Sequence, residues 1–127
     1  MTKILLIAAG GGVGSVLRYA IAGWSQKWAG GSFPLGTLIV NVIGCFLIGC
    51  LSAAFDRPTI IREEYRIAIL VGVLGGFTTF STFALETLKL TNDRQFVAAA
   101  SNIFASVGVA LVAVWFGYRL VGRLMEL

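Results

Sequence analysis

The stretch from Gly72 to Phe83 reads Gly-Val-Leu-Gly-Gly-Phe-Thr-Thr-Phe-Ser-Thr-Phe and lies inside an apolar segment long enough to cross a bilayer. Its composition is wrong for a continuous helix. Gly75-Gly76 lacks two successive side chains, which makes non-helical backbone cheap there. Thr78, Thr79, Ser81 and Thr82 follow, and hydroxyls bond backbone groups in competition with the helix ladder. The pattern predicts a helix break across the glycine pair and the hydroxyls. Interrupted backbone at membrane depth must be buried in protein or line a wet cavity, and its freed carbonyls and amides suit ions. The competing reading is a small-residue packing face, with the hydroxyls bonded to their own preceding carbonyls.

Other polar side chains fall at spanning depth. Thr37 and Asn41 share a helical face, four residues apart, as do Asn102 and Ser106. Thr79, Thr82 and Glu86 follow helical spacing beside Phe83. An asparagine in hydrocarbon needs a partner, so Asn41 either bonds a neighbouring helix or offers its NH₂ to an anion. Arg18 reads either as a snorkelling anchor beside Tyr19 and Trp24 or as a cation guarding an anion entry. Glu86 reads as an interfacial carboxylate that reaches water.

These groups need a scaffold. Of 127 residues, 57% are hydrophobic and only 13% charged. A soluble domain of this size could not hide that much apolar surface, which points to the lipid bilayer. Four spans are expected at about 4–24, 35–55, 67–90 and 96–121, forming one transmembrane domain over residues 1–127. The first segment opens like a signal peptide, but its apolar run continues past Gly10 and Gly14 without a cleavage site. Gly10 and Gly14 form a GxxxG, which lets a second backbone approach closely. Asp56 to Arg66, with Arg57 and Pro58, reads as a solvated connector carrying no chemistry.

The net charge of +4 comes from basic residues near segment ends, suiting anionic headgroups rather than nucleic acid. The chain contains no histidine, which removes histidine-based triads and histidine-ligated zinc. No nucleophile–base pair is visible, so an enzyme is not expected. Cys45 and Cys50 lie five apart in one span and read as small buried hydrophobes, not a disulfide. Four spans put both termini on one side. That side holds Lys3, Arg57, Arg62, Arg66, Arg119 and Arg123; the other holds Arg18, Lys27, Lys89 and Arg94. So small a bias allows insertion in both orientations. With no internal repeat, a pathway then requires assembly of copies, and dual insertion would supply an inverted partner.

Residues 10–19 (Gly-Gly-Gly-Val-Gly-Ser-Val-Leu-Arg-Tyr), 36–44 (Gly-Thr-Leu-Ile-Val-Asn-Val-Ile-Gly) and 75–83 (Gly-Gly-Phe-Thr-Thr-Phe-Ser-Thr-Phe) resemble the Fluc/CrcB fluoride channels, and the likeness covers nearly the whole chain, in order and across four spans. The resemblance implies an all-α antiparallel, dual-topology homodimer with a broken third helix, in a bacterial inner membrane. Such a dimer exports fluoride passively and relieves its toxicity. It implies a structural sodium ion (Na⁺) held by the backbone carbonyls of Gly75 and Thr78. It implies a fluoride pathway of Asn41, Phe80, Phe83, Asn102 and Ser106, alongside the hydroxyls of Thr37, Thr79 and Thr82. Arg18 and Glu86 fall at the vestibule. Some members carry a third hydroxyl where this chain has Ala110. Two further readings compete. A small multidrug transporter would need a membrane-embedded glutamate in the first segment, which has none. A purely structural membrane subunit would need only the GxxxG and scattered hydroxyls.

Overall fold

The computed structural model describes residues 1–56 and 61–126, which form four membrane-length helical spans. Helix α1 is Thr2–Ala29 and α2 is Leu35–Phe55. The third span, Glu63–Asn92, is assembled from pieces. These are α3 (Glu63–Ile67), a π-helical stretch (Ala68–Leu74), the short α4 (Gly75–Phe77) and α5 (Phe80–Asn92). Helix α6 is Phe96–Leu124. The first, third and fourth spans outrun their apolar cores, because helical backbone continues into the polar boundary where hydrophobicity has ended. Helix α1 stops at Gly30, whose φ of 66° is left-handed backbone that glycine adopts without strain. The expected connector is shorter than its charges suggest, since α3 already begins at Glu63. Arg57 and Pro58 lie outside the described residues.

Contacts between the ends fix an up-down-up-down order. At one end Lys3 Nζ lies 3.2 Å from Glu63 Oε1, and the Tyr118 hydroxyl donates to Asp56 Oδ2 at 2.7 Å. At the same end Arg66 donates to the Phe55 carbonyl at 2.6 Å and stacks over the Phe55 ring. At the other end Ser32 donates to Gln95 Oε1 at 2.8 Å. Gln26 closes the α1–α2 loop there: its amide NH₂ donates to the carbonyls of Gly31 and Phe33, and its Oε1 accepts from the Gly36 N–H.

Inside the spans, small residues set the distances. Lipid tails are as apolar as leucine, so helices associate in a membrane through close packing rather than hydrophobic expulsion. The GxxxG of α1 meets a matching row in the third span. A methyl at Gly10 would lie 2.7 Å from the Ala68 carbonyl oxygen, and one at Gly72 would lie 2.8 Å from that of Ile7. A methyl at Gly14 would run into the Val73 carbonyl, and one at Gly76 into that of Gly11. Helices α2 and α6 cross in the same way, with Gly49 against Val114 and Gly117 against Phe46. The rings of Phe46 and Phe116 stack nearby, 6.2 Å apart.

The expected break is present, but its position requires a correction. Gly75 and Gly76 stay helical, and the extended residues are Thr78 (φ −89°, ψ 159°) and Thr79 (φ −154°, ψ 120°). Gly76 is needed for its lack of volume, since it packs on the backbone of Gly11. What ends the helix is hydroxyl capping at Thr78 and Thr79.

Gly14→Ala is therefore expected to destabilise the protomer by about 1–3 kcal/mol through overpacking. Gly23→Ala, whose added methyl meets nothing within 4 Å, is expected to be neutral or slightly stabilising. Thermal melts of the two purified variants check this.

Candidate functional site

One face of α2 is shaped to receive the broken third span. Thr37, Val40, Asn41 and Gly44 lie along it at helical spacing. Val40 is fully buried. Gly44 leaves the space that the Thr78 methyl fills, and a methyl on residue 44 would collide with it. One turn earlier, Asn41 meets the peptide of Thr79 with both ends of its amide. Its NH₂ donates to the Thr79 carbonyl at 2.9 Å, and its Oδ1 accepts from the Thr79 N–H at 2.8 Å. Asn41 thus replaces the helical neighbours that Thr79 has lost.

The rest of the break is capped from within. The N–H and hydroxyl of Thr78 both donate to the Leu74 carbonyl at 3.0 Å. Thr79 is the N-cap of α5: its Oγ1 accepts from the Thr82 N–H at 3.3 Å and donates to Thr82 Oγ1 at 3.0 Å. In an unbroken helix the Gly75 carbonyl would face the Thr79 N–H and the Thr78 carbonyl the Thr82 N–H. Both donors are engaged elsewhere, by Asn41 and by the Thr79 hydroxyl. The interruption therefore withdraws the regular helical partner from the carbonyls of Gly75 and Thr78.

Two clefts open on either side of the break. The first, about 320 Å³, is bordered by Asn41, Gly75, Thr78, Phe80, Phe83 and Ser106, with Ala110 at its wall. The second, about 460 Å³, is bordered by Arg18, Thr37, Thr82 and Glu86. Thr79 borders both, so the wall between them is the capped break itself. The rings of Phe80 and Phe83 are neighbours, with centroids 5.3 Å apart. Their settings differ: Phe83 is 9% exposed and Phe80 is 77% exposed on the protomer surface.

In the second cleft the Thr37 hydroxyl donates to Glu86 Oε1 at 2.8 Å, while Glu86 Oε2 is buried without a hydrogen-bond partner. Arg18 lines this cleft but forms no ion pair with Glu86. Asn102 lines neither cleft. It is 1% exposed and donates to Thr87 Oγ1 at 2.9 Å, while Ser106 donates to Asn102 Oδ1 at 3.3 Å. The structure thus gathers the expected residues into two groups around the break and sets Asn102 behind one of them. Thr87 was not singled out by the sequence, although its hydroxyl lies four residues after Phe83 on α5. Cys45 and Cys50 are free and half-buried rather than fully buried. Among the described residues no group of three or more His, Cys, Asp or Glu side chains is placed to hold a metal ion.

A four-span protein with a polar, capped interruption between two clefts has the layout of a membrane transport protein. The comparisons agree. Residues 5–118 match the family model described as CrcB-like protein, Camphor Resistance (CrcB). The chain is 52% identical to the fluoride-specific ion channel FluC of Geobacter sulfurreducens, over 92% of this chain and 94% of that one. It is 48% identical to the Geobacter metallireducens FluC over the same shares, and 42% identical to the Rhizobium etli FluC over 98% of this chain and 100% of that one. The chain belongs to the CrcB/FluC family. It is a transport protein rather than an enzyme, and its four apolar spans fit a multi-pass protein of the inner membrane.

With Asn41 as the clamp on Thr79, Asn41→Ala is expected to lower stability by about 1 kcal/mol, because it orphans a part-buried donor and acceptor. Asn41→Asp keeps the acceptor for the Thr79 N–H and is expected to cost less. Melts in detergent without fluoride separate this role from ion binding.

Proposed function

We propose that the protein is a fluoride channel through which the ion leaves the cell down its gradient, relieving fluoride toxicity. The observation that carries this is its identity with FluC relatives along nearly their whole length, joined to a capped break flanked by two clefts. Fluoride is small and strongly hydrated, so a pathway must replace its water stepwise. The chain offers suitable donors. The positive end of the α5 dipole lies at the break, at the boundary of both clefts. Arg18 supplies a fixed cation at the second cleft. The ring edges of Phe80 and Phe83 carry partial positive charge beside the first. The hydroxyls of Thr37, Thr79, Thr82 and Ser106 and the amide of Asn41 form the remaining polar track, backed by Asn102 behind Ser106.

The working unit in this reading is an antiparallel homodimer with a structural sodium ion. The carbonyls of Gly75 and Thr78 are hard oxygen donors lacking their regular helical partners, which suits a hard cation. Gly75 is exposed on the protomer surface, with open space where its side chain would be. With Gly75 and Thr78 as the two ligands from one protomer, a four-oxygen site takes the same two from a second copy. Bound sodium would supply positive charge and hold the two breaks together. The weak charge bias between the two ends supports an inverted partner.

Fluoride efflux from liposomes, read with a fluoride electrode, tests the function. Wild type is expected to release fluoride and retain chloride, and liposomes that hold both ions would remove the reading. Phe80→Ile and Phe83→Ile roughly keep bulk but lose the ring edge. They are expected to cut flux while the dimer still purifies; full flux in both would leave only the hydroxyl and amide track. Thr78→Ser keeps the backbone ligand and is expected to be mild. Gly75→Val sets a branched side chain in the open space where a second copy would pack and is expected to be severe, and replacing sodium with a large organic cation is expected to weaken the wild-type dimer. Equal flux from both variants would count against a backbone-held ion.

A further inference from the structure

A chain of hydrogen bonds runs behind the first cleft, from the backbone of α5 to the edge of α6. The Thr87 hydroxyl lies 2.8 Å from the Phe83 carbonyl, Asn102 lies 2.9 Å from Thr87 Oγ1, and Ser106 lies 3.3 Å from Asn102 Oδ1. Its direction is forced from one end. A carbonyl only accepts, so the Thr87 hydroxyl must give its single proton to Phe83. Thr87 Oγ1 can then only accept, so Asn102 must turn its NH₂ toward Thr87. The Asn102 Oδ1 therefore faces Ser106, and Ser106 must give it the only hydroxyl proton that it has.

We infer that Thr87 is a positioning residue that keeps the Ser106 proton directed at Asn102 rather than into the cleft. This rests on the fluoride-channel reading above. Ser106 borders the cleft, so it can serve an anion only by turning away from Asn102. The bond it leaves is long, at 3.3 Å, but Asn102 is 1% exposed, so its oxygen then has no access to water. The return of the proton to Asn102 favours release of the ion. Conduction requires such a balance, with binding strong enough to admit the ion and weak enough to free it. Without the Thr87 hydroxyl, the Asn102 amide is free to reverse and donate to Ser106. The Ser106 proton is then available to the cleft at all times, and the ion is held more tightly.

The test is fluoride efflux from liposomes across a range of fluoride concentrations. Thr87→Val is expected to lower the half-saturating concentration and the maximal flux, each by roughly two- to tenfold, the scale of one hydrogen bond. Thr87→Ser retains the hydroxyl and is expected to match wild type. In a Ser106→Ala background, Thr87→Val is expected to produce no further shift in half-saturation, because the effect runs through that proton. Loss of packing alone would move yield and melting temperature but not this coupling. Wild-type behaviour of Thr87→Val overturns the inference, as does a shift that persists without Ser106 or one that Thr87→Ser reproduces. Should Thr87→Val fail to assemble, Thr87→Cys gives the same reading: a smaller shift in the same direction supports the inference, and none overturns it. Wild-type liposomes that release no fluoride would instead remove the functional reading beneath it. Conducting wild type with an unaltered Thr87→Val removes only the role of Thr87.

Discussion

The bilayer core supplies no water to peptide groups, so every backbone donor and acceptor in a span needs a partner from the protein. The third span departs from helical geometry at Thr78 and Thr79, and the surrounding structure answers that departure. An unanswered buried donor costs about 1–3 kcal/mol, so a break of two residues is tolerable only if most of its groups are met. Leu74 receives the Thr78 N–H, Asn41 takes both polar groups of Thr79, and the Thr79 hydroxyl takes the Thr82 N–H. The face of α2 that carries Asn41 and Gly44 therefore cannot be altered independently of the third span.

The same bookkeeping orders the clefts. The hydroxyl protons of Thr37, Thr79 and Ser106 all point to protein acceptors: Glu86, Thr82 and Asn102. A solute that draws on these groups competes with bonds already made. These hydroxyls are accordingly engaged contacts rather than vacant donors.

Much of this was legible in the residues. Apolar length gave four spans, and the cluster of Thr78, Thr79, Ser81 and Thr82 gave an interrupted third one, because hydroxyls cap helices and glycines relax them. The exact site of interruption was not legible. Glycine permits both a bend and a close approach, and only the neighbouring backbone of Gly11 shows that Gly76 is used for approach. Asn41 was recognisable as needing a partner, but a sequence holds many acceptors and does not say which one is near. Nothing in the sequence sets Thr87 apart, and in the structure its hydroxyl bonds the carbonyl four residues back like any helical threonine. Its second contact, to Asn102, comes from the packing of α5 on α6. The π-helical winding of Ala68–Leu74 left no mark in the pattern.

The glycine crossings of α1 with the third span and of α2 with α6 are contacts between neutral backbones. Contacts of that kind are the same whichever end of the molecule faces the cytoplasm. The bias that orients a membrane protein resides instead in a few basic side chains near the ends, and those residues take no part in the crossings. Architecture and orientation are thus written in separate sets of residues. Exchanging a few terminal arginines and lysines would therefore alter the charge balance between the two ends while every helix crossing stayed as it was.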